Sequence, residues 1–403
     1  MHAPASPAGT TAGPPTVVWE EGGRAMRALW RSATGAPPPR RVRVVDDRLR
    51  ADDAYRLASE GTALLWRGDY HNARTLLAAM RRRAERRPAA RLAARMAQAS
   101  PAQRFHLHRQ ARAQRTRTLS MLLVPFAPGD VLDLPRAPDV RQACAEAYGP
   151  APGEPVLSPL REVLGVIGAH EWRKKGVVVP ALGGARIHPH YGVFSPVRGE
   201  YVDLVARAPL PSRELAFDVG TGTGVLAAVL ARRGVARVVA TDNDARALAC
   251  ARDNLDRLGL ADRVEVVAAD LFPPGRAPLV VCNPPWLPAK PASPLDRAVY
   301  DPGGRMLAGF LNGLAEHLQP GGEGWLVLSD LAEHLGLRSR ADLLAAFEQA
   351  GLVVAGRLQT RPVHPRARDE TDPLHAARAA EVTSLWRLVP AGEAAGHGEA
   401  ADG

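Results

Sequence analysis

The second half of the chain is predicted to be an α/β fold, a doubly wound sheet with its ligand crevice at the strand C-termini. Three observations predict it. Residues 215–224, Leu-Ala-Phe-Asp-Val-Gly-Thr-Gly-Thr-Gly, read as a strand, a glycine turn and a helix start. Short apolar runs then alternate with helical stretches up to Val389. Acidic residues stand at the ends of successive runs, where such a sheet meets its ligand.

The first strand is the apolar run Leu215 to Val219, which carries Asp218, and a helix follows over Val225 to Arg233. Gly220, Gly222 and Gly224 allow a tight turn that a ligand can approach closely. Their spacing is G-x-G-x-G rather than the dinucleotide G-x-G-x-x-G, so an ordinary glycine-rich turn stays open on this evidence alone. Strand two, Ala236 to Thr241, ends in Asp242-Asn243-Asp244, and the next helix runs from Ala245 to Leu258 and stops at Gly259. Strand three, Val264 to Ala268, leads into Asp270-Leu271-Phe272, and strand four, Pro278 to Cys282, into Asn283. A helix over Met306 to Leu318 stops at Pro320-Gly321-Gly322. Strand five is Gly324 to Ser329, a helix covers Ala341 to Ala350, and strand six is Leu352 to Leu358. A charged loop, Arg361 to Ala380, precedes strand seven, Val382 to Val389.

The 403 residues suggest two domains plus tails, and 46% hydrophobic content is ample for buried cores. Residues 1–39 read as a disordered or loosely ordered tail, and 40–175 as a mostly helical, basic N-terminal domain for substrate recognition. Helical spacing of Leu64, Leu65, Leu76, Leu77 and Met80, interrupted at Gly68-Asp69, supports the helices. Residues 176–205 read as a β-hairpin linker, turning at Gly183-Gly184, followed by an entry helix. The catalytic domain is 206–390, and the Ala, Gly and Glu composition of 391–403 reads as disordered.

The net charge of +10 is concentrated: Arg81 to Arg117 holds twelve arginines and one acid, Glu85. Such a run suits RNA, DNA or a ribosomal surface. The chain has three lysines against 49 arginines and is rich in Ala, Gly and Pro, so coding bias and a solvated basic helix explain it equally well. No apolar run approaches the ~20 residues of a membrane span. Cys144, Cys250 and Cys282 lack metal-ligand spacing, and His106, His108, His188 and His190 alternate rather than stack on one helix face. The expectation is a reduced, cytoplasmic protein without a metal or a membrane partner.

Asn283-Pro284-Pro285-Trp286 lies about sixty residues beyond the glycine turn. The turn and this tetrapeptide, in that order, resemble the class I S-adenosylmethionine-dependent methyltransferases, and among them the small methyltransferase domain branch that acts on planar NH2 nitrogens. The resemblance covers about half the chain. It implies a Rossmann-like seven-stranded sheet with an antiparallel last strand, and S-adenosylmethionine as cofactor. Pro196, Arg198 and Glu200, and the stretch Tyr300 to Phe310, resemble segments of the protein-glutamine methyltransferases of the HemK type.

Roles follow from that resemblance and from the chemistry of the groups. Gly220, Thr221, Gly222 and Gly224 would lie along the methionine moiety, with Asp218 as an acceptor for its ammonium group. Asp242, with Asn243 beside it, would hold the ribose hydroxyls, although an acid at that strand end also suits a nicotinamide cofactor. Asp270 would accept from the adenine amino group, with Leu271 or Phe272 along the ring. Asn283, also counted among the cofactor-binding residues, and the Pro284 carbonyl would accept the two N–H groups of the methyl acceptor and aim its lone pair; Pro285 stiffens the loop, and Trp286 would stack on the acceptor. The acceptor is expected to be macromolecular, a glutamine in a translation protein. The alternatives are a guanine or adenine exocyclic amine of rRNA or DNA, bound by the basic half, and a non-catalytic cofactor-binding module.

Overall fold

The computed structural model describes residues 14–86, 89–291, 296, 299–362 and 369–396. The chain divides into two compact units, one of residues up to 90 and 112–167, the other of residues 91–111 and 168 onward. Residues 1–13 and 397–403 of the expected tails, and 363–368 of the charged loop, lie outside the described residues.

The first unit is built on a seven-stranded mixed sheet rather than a helical domain. Its strands are β1 (Thr16–Glu21), β2 (Arg24–Trp30), β3 (Val42–Val45), β4 (Ala63–Trp66), β5 (Leu122–Ala127), β6 (Val131–Leu132) and β7 (Val156–Pro159). The order is β1-β2-β7-β5-β4-β3, with β6 paired to β5. Helices α1 (Ala51–Ser59), α2 (Tyr70–Arg86), α3 (Ala89–Ala97), α4 (Pro101–Leu119) and α5 (Arg141–Tyr148) connect them. Two expectations are corrected here. Within the segment 1–39, β1 and β2 form an antiparallel hairpin across Gly22-Gly23, both with positive φ, in which Glu21 faces Arg24. Such a two-residue turn fits the twist of the flanking strands. Within 40–175, Ala63-Leu-Leu-Trp66 is a fully buried strand, and a short apolar run buried on both faces carries no periodicity to separate it from a helix. Leu64 and Trp66 face one core and Ala63 and Leu65 another, the two-residue alternation of a strand.

After residues 91–111, the second unit resumes within α6 (Leu160–Lys175), which begins in the first, then a short antiparallel pair, β8 (Val177–Val178) and β9 (Arg186–Ile187), within the expected hairpin segment. After α7 (Glu200–Arg207) come β10 (Leu215–Val219), α8 (Val225–Arg232), β11 (Arg237–Asp242), α9 (Ala245–Arg257), β12 (Val264–Ala268) and β13 (Ala277–Cys282). Next are α10 (Arg305–His317), β14 (Leu318–Ser329), α11 (Leu331–His334), α12 (Arg340–Gln349), β15 (Leu352–Thr360), α13 (His375–Ala380) and β16 (Thr383–Pro390). Residues 391–396 form a 3₁₀ turn in place of the start of an expected tail.

The sheet order is β12-β11-β10-β13-β14-β16-β15, with the first five strands parallel and β16 antiparallel to both neighbours. Strand order reverses beside β10, so the crevice of a doubly wound sheet opens beyond β10 and β13. Both faces are covered. Ala216, Val238, Leu279 and Trp325 pack with α7, α8 and α9, while Phe217, Val239, Val280 and Leu326 pack with α10 and α12. Residues 225–231 of α8 are all buried, which accounts for their unbroken apolar and alanine run. Among the described residues no helix is long and apolar enough to cross a membrane.

Candidate active site

Val219 and Cys282 are register partners on adjacent parallel strands, so Gly220 and Asn283 leave the sheet side by side. Both motifs of the sequence therefore reach one place. Asp218 is 1% exposed and sits on the α8 face of the sheet. Its Oδ2 accepts from the Thr221 hydroxyl (2.6 Å) and from the Ala227 N–H at the start of α8 (3.0 Å). Burial raises its carboxyl to about 6, against the lowering effect of those two donors. It braces the turn from behind.

Gly220, Gly222 and Gly224 all have positive φ (72°, 56° and 79°), which side-chain-bearing residues rarely adopt. A Cβ on Gly220 would collide with the Met306 methyl, and one on Gly224 would press on Ala251. A Cβ on Gly222 would meet nothing within 4 Å. Gly222 is thus the glycine that faces open space. The Thr221 N–H bonds to Thr241 O (2.8 Å), the Gly222 N–H to Asp242 Oδ2 (3.0 Å) and the Gly224 N–H to Thr221 O (2.9 Å), so these donors hold the turn itself.

Asp242 also accepts from the Asp244 N–H through Oδ1 (3.0 Å), and burial raises its pKa. Two bonded oxygens still leave lone pairs for a hydroxyl pair. Asn243 Nδ2 donates to Asp270 Oδ1 (3.3 Å), joining the ends of β11 and β12. Leu271 has a φ of 74°, a strained backbone for a branched residue and of the kind that gathers at binding sites. Phe272 turns away to stack on His317 (4.2 Å) and Phe310 (5.7 Å) of α10, where Gly313 makes room for its ring. Leu271 also packs toward α10, where a Cβ on Gly309 would lie 2.7 Å from its Cδ1.

Beyond β13, the Trp286 indole N–H donates to Asn283 Oδ1 (2.8 Å). The Arg198 guanidinium lies 5.7 Å from the Trp286 ring centroid. Arg198 also pairs with fully buried Glu381 (3.0 Å) and faces Glu200 (3.6 Å), while Glu381 accepts from the Ser329 hydroxyl (2.7 Å). Sequence reasoning missed this cluster, because Glu381 is 183 residues from Arg198 and no local pattern joins them. Asp301 accepts from the Met306 and Leu307 N–H groups, so the Tyr300 to Phe310 stretch is the entry to α10. His188 and His190 are satisfied locally, by Arg173 O and by Asp253.

A second surprise concerns the arginine run. Phe105, 2% exposed in the first half of α4, packs with Leu287, Ala289, Leu331 and Leu374. Arg109 donates to Lys290 O and lies 4.3 Å from the Tyr300 ring centroid. Part of the basic stretch is therefore a component of the second unit, anchored on the segment that follows Trp286. The signal was available: Phe105 is the one Phe, Tyr or Trp between Arg81 and Arg117.

A parallel sheet with an antiparallel strand inserted near its edge, an open glycine turn, acids at the next two strand ends and an Asn-Pro-Pro-Trp loop define a class I methyltransferase domain, a class whose cofactor is S-adenosylmethionine. Residues 185–356 match the family model described as the methyltransferase small domain. Over 183 residues it is 32% identical to a release factor glutamine methyltransferase of Cereibacter sphaeroides, covering 40% of this chain and 66% of that one. A release factor glutamine methyltransferase of Moorella thermoacetica is 40% identical over 119 residues (26% and 42%). A ribosomal protein L11 methyltransferase of Pelotomaculum thermopropionicum is 38% identical over 144 residues (35% and 39%). The chain thus spans between 39% and 66% of the length of these relatives.

Proposed function

We propose that the second unit transfers a methyl group from S-adenosylmethionine to a planar NH2 nitrogen, and that the acceptor is a glutamine side chain of a translation protein. The observation that carries this is the adjacency of Asn283 to the glycine turn, with its amide oxygen accepting from the Trp286 indole N–H. When bound, the cofactor supplies an electrophilic methyl group. Asp242 would hold its ribose diol, Asp270 and Leu271 its adenine, and Gly220, Thr221, Gly222 and Gly224 its methionine end. Asp218 places negative potential behind the turn, favourable to an ammonium group. An amide nitrogen is a weak nucleophile because its lone pair is delocalised. Asn283 Oδ1 and the Pro284 carbonyl accept its two N–H groups, which orients the nitrogen and favours its pyramidal form as positive charge develops. The prolines fix those acceptors in advance, and Trp286 provides a flat wall.

The test is transfer of labelled methyl from cofactor into a deletion-strain extract, with Asn283→Ala as control. Asn283-dependent label that protease removes, located on a glutamine by mass spectrometry, is the expected result. Label on lysine, or none, defeats the glutamine assignment.

A second possibility, an exocyclic amine of RNA or DNA, is favoured by one observation. Residues 86–129 contain no Asp or Glu, and α4 within that stretch is anchored beside the acceptor loop through Phe105 and Arg109. It predicts label removed by nuclease, and RNA or DNA affinity that falls steeply with salt.

A further inference from the structure

We infer that the indole N–H of Trp286 is the device that presents the oxygen of the Asn283 amide, and not its NH2, to the methyl acceptor. This rests on the function proposed above. An asparagine side chain has an acceptor at one end and donors at the other, and rotation by half a turn exchanges them. With the NH2 forward, Asn283 would repel the N–H groups it has to receive. An indole N–H is a donor only, so it pairs with Oδ1 and never with Nδ2. The 2.8 Å bond from Trp286 Nε1 uses one lone pair of Oδ1 and leaves the second for the acceptor N–H. A tyrosine hydroxyl at this place would donate or accept, and would not discriminate between the two ends of the amide.

Trp286 is itself held. Its ring packs against the cores on both faces of the sheet, and the Arg198 guanidinium lies 5.7 Å from its centroid. Glu381, itself held by the Ser329 hydroxyl, and Glu200 fix that guanidinium, drawing together the start of α7, the end of β14 and the segment just before β16. The indole is thereby a positioning residue acting through Asn283, and Arg198 a positioning residue acting through Trp286. The experiment separates this role from its opposite, a latch that blocks Oδ1 until the acceptor displaces it. The two differ in sign. Removing an orienting N–H slows transfer, whereas removing a latch speeds it.

The experiment has two readouts on the full chain. In the first, the seven tryptophan indole N–H signals are recorded by nitrogen-15 NMR, with Trp286 assigned from Trp286→Phe. Asn283→Ala should shift the Trp286 signal and hasten its hydrogen exchange, with the other six unmoved; an unmoved Trp286 signal overturns the inference whatever the activity. In the second, Trp286→Phe should lower kcat by roughly five- to tenfold, the worth of one hydrogen bond, with cofactor Kd and Tm close to wild type. In the Asn283→Asp background, where oxygen faces the acceptor in either orientation, the same change should cost less than about twofold, as the amide no longer needs orienting. A packing role alone would cost the same in both backgrounds. Unchanged or increased kcat for Trp286→Phe in an active enzyme overturns the orienting role and leaves the methyl transfer standing. A wild-type protein that transfers no methyl overturns the reaction instead.

Discussion

Each unit makes the same local move once, from a strand through glycine into a helix, and the two outcomes are opposite. In the first unit β4 passes through Gly68-Asp69 into α2. A Cβ on Gly68 would lie 2.6 Å from the Asp47 carboxylate, so the space is filled. Asp69 caps α2 through the His71 and Asn72 N–H groups and is closed off by Arg136 at 2.6 Å. In the second unit β10 passes through Gly220 to Gly224 into α8, and Gly222 faces open space. The acids differ in the same sense. Arg136 and the capped N–H groups hold the Asp69 carboxyl below its usual range, whereas burial lifts Asp218 to about 6. A filled turn with an ion-paired acid is a structural joint; the open turn braced by Asp218 is where we propose the cofactor binds.

The largest effect expected from breaking this contrast is on transfer. Asn283→Ala should cost roughly 10²–10³ in kcat, the cost of removing one preorganised hydrogen-bonding group, with cofactor Kd within about threefold by calorimetry. Comparable affinity loss and kcat loss would put Asn283 in cofactor binding instead.

The two glycines sharpen the contrast next. Gly68→Ala should destabilise by about 1–3 kcal/mol through overpacking against Asp47, without changing cofactor affinity. Gly222→Ala should cost about 1–2 kcal/mol of backbone strain and lower cofactor affinity roughly tenfold. Denaturant melts beside calorimetry read both, and equal affinity in the two variants would end the distinction between filled and open turns.

The pH dependence of the two acids should have opposite signs. Asp218 has a raised folded pKa, so the folded state binds the extra proton and stability falls as pH rises from the unfolded value toward about 6. Asp218→Asn removes that dependence. Relative to wild type, the variant should gain about 2 kcal/mol between about pH 4.5 and about pH 7. Asp69 has a lowered folded pKa, so its contribution is present above the unfolded value and is lost as pH falls through the folded one. Asp69→Ala should lower Tm by a few degrees at neutral pH, less so in acid, with methyl transfer unchanged. The same sign for both acids would contradict the burial and ion-pair origins given to them.

Much of the second unit was legible in the sequence. Strands buried on both faces of a parallel sheet read as short continuous apolar runs, and Gly, Pro and strand-end acids punctuate them. The glycine turn and Asn283-Pro284-Pro285-Trp286 were legible for the same reason: each is contiguous, and each needs its residue types for local backbone geometry. The first unit was not. Ala63 to Trp66 is too short to show a period, and the Gly22-Gly23 hairpin stood in a stretch whose composition suggested a tail.

What the sequence determined by itself was therefore local: where the backbone turns, which runs must be buried, and which chemical groups stand at strand ends. Tertiary structure alone decided what those groups face. It brought Glu381 to Arg198 and Arg198 to Trp286, it set Phe105 and Arg109 of the arginine run against the segment after Trp286, and it turned Phe272 onto α10. These contacts join residues tens to nearly two hundred positions apart along the chain, and they depend on side-chain packing and charge pairing between elements. A linear pattern records spacing along one element, and carries no term for its neighbours across the sheet.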